Sequence, residues 1–165
     1  MKILREVSLT LIITVIAGYS IAQLDVIKSS IKTAQAVVDK TKEVVTVESV
    51  ISGDTIKLAD GRIIRYIGID APDKEQCMYR TAAKINQVLV EGKQVVIEKD
   101  HTELDPDGNV LRYVWIADQL INERIVSEGY ARNTPQPPNL KYNGRFLNAH
   151  NQARELNKGL WAVCN

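Results

Sequence analysis

Asp54, Arg65, Asp70 and Asp73 stand in one short stretch of this 165-residue chain, and their types are those that could work on a phosphate. The stretch opens in the tight turn Ser52-Gly53-Asp54 and runs through two alternating segments, with Arg65 on the second. It ends in Asp70-Ala71-Pro72-Asp73. Carboxylate oxygens hold hard divalent cations, and a guanidinium grips phosphate through paired hydrogen bonds. Gathered at the ends of strands, these groups would suit metal-assisted attack on a phosphodiester. The same residues also have ordinary readings. Asp and Gly favour turns unaided, Asp70-Ala71-Pro72 can end a strand, and Arg65, like Arg62, can face solvent from one.

The elements that must position them read in sequence order. Residues 44–51 form a β-rich run and 55–58 continue it after the turn. Asp60-Gly61 is a two-residue hairpin signal, and 62–69 read as a third strand ended by Pro72. Residues 81–90 carry Ala82, Ile85, Val88 and Leu89 on one helical side, with Gly92 as the stop. Strands follow at 94–98 and, after Pro106-Asp107-Gly108, at 110–116. A helix over 120–128 closes at Gly129. A Pro-rich loop spans 134–138. A last helix over 142–157 turns Phe146, Ala149, Ala153 and Leu156 inward and closes at Gly159. Five strands with a helix between the third and fourth predict an α+β fold, a five-stranded OB-type β-barrel with three helices.

Residues 1–22 read as a targeting segment. Lys2 and Arg5 precede an apolar run, and Ser20-Ile21-Ala22 offers a cleavage site before Gln23. The segment is a signal peptide or a membrane anchor, and either exports the rest of the chain. The expected location is secreted or periplasmic, or membrane-anchored with the domain outside the cytoplasm. Residues 23–43, with Ile27, Ile31, Ala34 and Val38 at helical spacing, form a helical spacer. Residues 44–165 form the domain proper. From residue 44 onward there are 15 Lys/Arg and 16 Asp/Glu, a balance of −1. That excludes a binder driven by bulk positive charge. Cys77 and Cys164 allow one intramolecular bridge. The sequence leaves this bridge and two unrelated buried thiols equally open.

At this point the ordered pieces carry a resemblance. They are Gly53-Asp54-Thr55, Arg65 with Asp70 five residues on, and Ala71-Pro72. Further along come Leu111-Arg112-Tyr113-Val114, Asn122-Glu123, Gly129-Tyr130-Ala131-Arg132, Pro137-Pro138-Asn139 with Lys141-Tyr142, Ala153-Arg154 and Gly159-Leu160-Trp161. From Val44 to Trp161 the chain resembles the thermonuclease family, the staphylococcal-nuclease-like OB-fold. The resemblance implies a Ca2+-dependent nuclease acting on single-stranded DNA or RNA. Asp54 and Asp70 would be metal ligands beside the Ala71 carbonyl, and Arg65 would clamp the scissile phosphate. Asp73 would be a further ligand or the residue that positions the attacking water. A monomer is expected, with attachment to a membrane possible only through residues 1–22.

Three departures accompany it. Asp73 stands where the family has glutamate, one methylene shorter, and a displacement of about 1 Å at a reacting centre can cost about 10²-fold. Asn109, after Gly108, stands where the family places a second catalytic arginine. Such arginines are worth roughly 10³–10⁵ in phosphoryl transfer. Arg112 would lie on the opposite strand face and about 10 Å away. Gln136 stands where an aromatic would stack on a base. These departures support an alternative: a catalytically impaired OB-fold module that binds nucleic acid or serves structure. The acidic stretch Glu98, Asp100, Glu103, Asp105, Asp107 reads as a solvated hairpin, because Val114 occupies the place of an EF-hand's last glutamate. His101 and His150 lie in separate elements, without the ligand spacing zinc needs.

Overall fold

The eleven-residue strand β1 (Lys42–Ser52) is long enough to serve two sheets at once. Its first half pairs antiparallel with β5 (Gln94–Glu98), from Lys42 opposite Glu98 to Thr46 opposite Gln94. Its second half pairs with β2 (Thr55–Leu58), from Val47 opposite Leu58 to Ser52 opposite Thr55. The register shifts between Val47 and Ser49 and again between Val50 and Ser52. Such irregularities bend a strand and increase its twist, as closure of a small barrel requires. β2 pairs antiparallel with β3 (Ile63–Tyr66), and β5 with β6 (Val110–Ile116). β3 and β6 then pair in parallel, with Arg65 opposite Leu111, and close the ring. This is the five-stranded α+β barrel read from the sequence.

The computed structural model describes residues 39–164 together with Gln23, Asp25 and Val26. The chain divides into two units, residues 1–39 and 40–165. In the first unit Gln23, Asp25 and Val26 are helical and exposed. The expected targeting segment 1–22 and most of the spacer lie outside the described residues. Among those described, no helix is long and apolar enough to cross a membrane.

β1 starts at Lys42 rather than 44, because the ladder to Glu98 recruits Lys42 and Glu43. The third strand is two. β3 stops at Tyr66, and β4 (Ile69–Asp70) pairs instead with β8 (Arg132–Asn133). The break lies at Gly68, whose φ of 76° belongs to the left-handed region. A Cβ there would stand 2.9 Å from two ring atoms of the buried Phe146.

Helix α1 (Tyr79–Val90) buries Ala82, Asn86 and Val90, and leaves Val88 63% exposed. Its inward face therefore centres on a polar residue. Asn86 accepts from the Tyr66 hydroxyl (3.0 Å) and donates to the Ser52 carbonyl (2.9 Å). Helix α2 (Ile121–Ser127) follows the short β7 (Gln119–Leu120). Its Asn122 accepts from the Val114 amide and donates to the Ile67 carbonyl. Helix α3 (Asn143–Glu155) packs through Phe146, Ala149 and Ala153. It ends before Leu156, which is 66% exposed and does not turn inward. A single-turn helix α4 (Leu160–Val163) follows Gly159.

Gly129 and Gly159 do more than end helices. The Leu160 amide donates to the Gly129 carbonyl at 2.8 Å, and a Cβ on Gly159 would lie 2.4 Å from that oxygen. Beyond this crossing, Cys164 forms a disulfide with Cys77, with the two Cα atoms 5.8 Å apart. That settles the alternative the cysteines left open.

The acidic stretch is not uniformly solvated. Glu98 is fully buried and accepts from Trp115 Nε1, the Tyr142 hydroxyl and the Lys141 ammonium. Asp100 accepts from the Tyr113 hydroxyl and the Lys141 amide. Both are structural posts that tie Lys141, just ahead of the last long helix, to the end of β5. Glu103 and Asp107 are exposed, as expected for a hairpin.

Candidate active site

Asp54 is placed by packing before it is placed by charge. Gly53, just before it, is buried, and a Cβ there would lie 2.6 Å from Ala71 Cβ and 2.8 Å from Ala82 Cβ. Only a residue without a side chain lets the turn sit between the chain after β4 and helix α1. Asn86 holds the same turn from below through the Ser52 carbonyl. From the other side, the Tyr66 amide donates to the Asp54 carbonyl at 2.9 Å.

The Asp54 side chain is 1% exposed and its oxygens are engaged. Oδ1 accepts from Ser52 Oγ (2.8 Å), Thr55 Oγ1 (3.1 Å) and Arg65 Nη1 (2.7 Å). Oδ2 accepts from the Ala71 amide at 2.6 Å. Burial pushes this carboxyl above the usual carboxylate range, while the Arg65 guanidinium and the Ala71 amide oppose the shift.

Arg65 reaches the turn because Thr55 and Arg65 are opposed in the β2–β3 hairpin. Its other terminal nitrogen, Nη2, donates to Asp70 Oδ1 at 2.8 Å. One guanidinium thus spans a buried carboxylate and one that is 50% exposed. Asp70 stands on β4, directly opposite Arg132 of β8.

Asp73 lies beyond Pro72, exposed, at the head of a turn. Its amide donates to Gln76 Oε1 (3.0 Å), and its carbonyl accepts from the Gln76 amide (3.0 Å). The disulfide fixes this loop four residues on. Asn109 is turned onto its own hairpin: its side-chain Nδ2 donates to Asp105 Oδ2 at 2.9 Å, and its amide to Asp105 Oδ1 at 2.8 Å. Arg112 is buried and committed elsewhere, donating to the Leu111 carbonyl and to Glu103. Gln136 accepts from the Gly68 amide at 3.4 Å, in the loop that contains the cis Pro137-Pro138 bond. Asn139 anchors that loop to both backbone groups of Thr102.

Asp54, Arg65 and Asp70 are therefore brought together, whereas the Asn109 side chain is bonded within its own hairpin. Among the described residues, no three carboxylate, histidine or cysteine side chains form a group able to hold a metal. Two carboxylates converging on one cation are nonetheless the hard oxygen donors that a calcium ion takes, with water completing its shell. The donor set fits on those terms. Ser52, Thr55 and Asn86 escaped the sequence reading. Ser52 and Thr55 flank Asp54 and could have been read as hydroxyl donors to it. Asn86 carried no signal in a helix read as apolar.

Known proteins resemble this chain over most of the barrel domain. Residues 63–163 match the family model described as staphylococcal nuclease homologue, a span that holds Arg65, Asp70, Asp73 and Asn109. Over 122 residues the chain is 34% identical to a thermonuclease of Staphylococcus hyicus, covering 68% of this chain and 72% of that one. Over 124 residues it is 32% identical to a thermonuclease of Staphylococcus intermedius, covering 70% and 74%. Over 123 residues it is 32% identical to an uncharacterized endonuclease of Escherichia coli, covering 68% and 73%. The chain belongs to the staphylococcal nuclease homologue family, a family of thermonuclease-like nucleases.

Proposed function

We propose that this chain is an exported, Ca2+-dependent nuclease that hydrolyses phosphodiester bonds of single-stranded DNA or RNA, and that it works slowly. The domain spans residues 44–165 with β1 beginning just ahead of it, and it acts as a monomer outside the cytoplasm. The observation that carries the reading is the single guanidinium of Arg65 held between Asp54 and Asp70. A phosphate enters such a site on the arginine, which offers planar paired donors.

Asp54 and Asp70 would hold Ca2+ beside the Ala71 carbonyl. When bound, the ion supplies neutralisation of charge on the phosphoryl oxygens. Arg65 binds the scissile phosphate and stabilises the charge that develops on it, the largest contribution open to such a site. Asp73 orients a water molecule and accepts its proton as the water oxygen attacks phosphorus. The leaving alkoxide takes its proton from solvent. Asn109 contributes no charge, so the rate lacks what a second arginine supplies.

The alternative, an impaired module that binds strands without cutting them, draws on one observation. The Asn109 side chain is bonded to Asp105, within its own hairpin. Incubation of the full chain with an end-labelled single strand separates the two readings. Cleavage in Ca2+ that stops when the ion is chelated supports the nuclease. Binding with no cleavage in Ca2+ supports the module.

A further inference from the structure

Arg132 is exposed on β8, directly opposite Asp70 on β4. Opposed residues of an antiparallel pair project from the same face of the sheet, so its side chain leaves the backbone on the side of the candidate site. Opposite charges in that relation would ordinarily pair. Here Asp70 gives its carboxylate to Arg65, and Arg132 forms no ion pair with any described carboxylate. Arg62, Arg65, Arg112, Arg124 and Arg145 each do, whereas Arg80 and Arg154, like Arg132, pair with no described carboxylate.

The Arg132 guanidinium lies instead over Trp161, 5.5 Å from the ring centroid. That seat is itself fixed. Trp161 meets His150 edge to face at 5.0 Å, and His150 Nδ1 accepts from the amide of Asn133, the next residue of β8. Trp161 belongs to α4, whose following Cys164 is bonded to Cys77 in the loop that begins at Asp73. An uncompensated cation is therefore held on an aromatic platform beside the β4–β8 pair that carries Asp70. A stacked arginine loses less side-chain freedom on binding phosphate than a free one.

We propose that Arg132 is a substrate-positioning residue that contacts a backbone phosphate of the bound single strand beside the scissile one. This rests on the nuclease reading of Asp54, Arg65 and Asp70. It adds a binding charge to a domain whose overall balance is near neutral.

The test uses the full chain, as wild type, Arg132→Gln and Arg132→Lys, with a fluorescein-labelled single-stranded oligodeoxynucleotide. Binding is read in chelator by anisotropy over a range of salt, and cleavage in Ca2+. Arg132→Gln is expected to raise Kd and KM about tenfold and to leave kcat within about twofold. The slope of log Kd against log salt should fall by about 0.7, the loss of one phosphate contact on a single strand. Arg132→Lys, which keeps the charge, should restore the slope. A Gln variant with wild-type Kd and slope overturns the proposal. So does a loss shared equally by the Gln and Lys variants, which would make Arg132 a brace for Trp161 only. A wild-type chain that binds but does not cleave removes the nuclease reading, and Kd alone then decides on Arg132. A chain that binds no strand overturns both.

Discussion

Arg65 Nη1 lies 2.7 Å from Asp54 Oδ1, a contact between residues eleven apart in the chain. The β2–β3 hairpin brings them together by setting Thr55 opposite Arg65. The same arginine reaches Asp70 across the turn at Gly68. One strand residue thus ties the start and the end of the stretch that carries the candidate chemistry, and several consequences can be measured.

Gly53→Ala should damage both the fold and the site. Its methyl would meet Ala71 Cβ at 2.6 Å and Ala82 Cβ at 2.8 Å, and neither neighbour has a flexible end that can yield. A loss of about 1–3 kcal/mol in unfolding free energy is expected for such overpacking. Cleavage, measured well below the unfolding midpoint, should fall as well, because the displaced turn carries Asp54. Denaturant unfolding alongside initial cleavage rates checks both effects.

Asn109→Arg should raise the cleavage rate by at least about tenfold, below the full value of a catalytic arginine. Asp105 limits the gain, since it already holds the position 109 side chain at 2.9 Å and would pair with a guanidinium. Adding Asp105→Asn should release more of the rate than Asn109→Arg alone. A flat response in both variants means that position 109 does not face the reacting phosphate.

Removal of the Cys77–Cys164 bridge should cost about 2–4 kcal/mol, since it closes a long loop with a sequence separation of 87. Urea midpoints of the oxidised chain and of Cys77→Ser with Cys164→Ser measure this. The Asp73 loop sits four residues from the bridge, so kcat should fall in the reduced chain even where it remains folded. Identical midpoints and rates would contradict this role.

His150 gives stability a pH dependence with a definite sign. Burial, then the positive charges of Arg154 and Arg132, hold its imidazole below the usual histidine range. The neutral ring accepts from the Asn133 amide. A group with a depressed folded value takes up a proton on unfolding. Its contribution is therefore present above about pH 6.5 and is lost as pH falls through the folded value. His150→Asn, which keeps an acceptor that does not titrate, should lose less Tm between pH 7.5 and pH 5 than wild type. Equal losses would show that His150 does not titrate on unfolding.

Much of this was legible in the sequence, and the gaps have physical causes. β2, β5 and β6 fall where alternation and turn residues put them, because each is short and bounded by Asp or Gly. Gly53-Asp54-Thr55 and the spacing of Arg65 from Asp70 pointed to three residues that the fold does bring together, since the β2–β3 hairpin sets Thr55 opposite Arg65. The break at Gly68 was hidden because Ile67 and Ile69 continue the strand pattern, and the reason for the break, Phe146, lies far along the chain. Apolar periodicity put Val88 and Leu156 with the core-facing residues, but burial depends on what lies opposite, and among the described residues both stay mostly exposed, at 63% and 66%. Asn86, Asn122 and Asn139 serve backbone groups up to 55 residues away, and such partners leave no local trace. The place of Arg132 opposite Asp70 needed the β4–β8 pairing, two residues on each side.

The most direct measurement concerns Asp70, because its side chain is half exposed and can change without loss of the fold. Asp70→Asn keeps the shape and removes the charge that Arg65 and the proposed Ca2+ both use. Its unfolding free energy should stay within about 0.5 kcal/mol of wild type, as for exposed positions. Its Ca2+-dependent cleavage of a single strand should fall by about 10²-fold or more. An Asp70→Asn chain that cuts the strand at the wild-type rate would contradict the assignment of Asp54, Arg65 and Asp70 as the nuclease site.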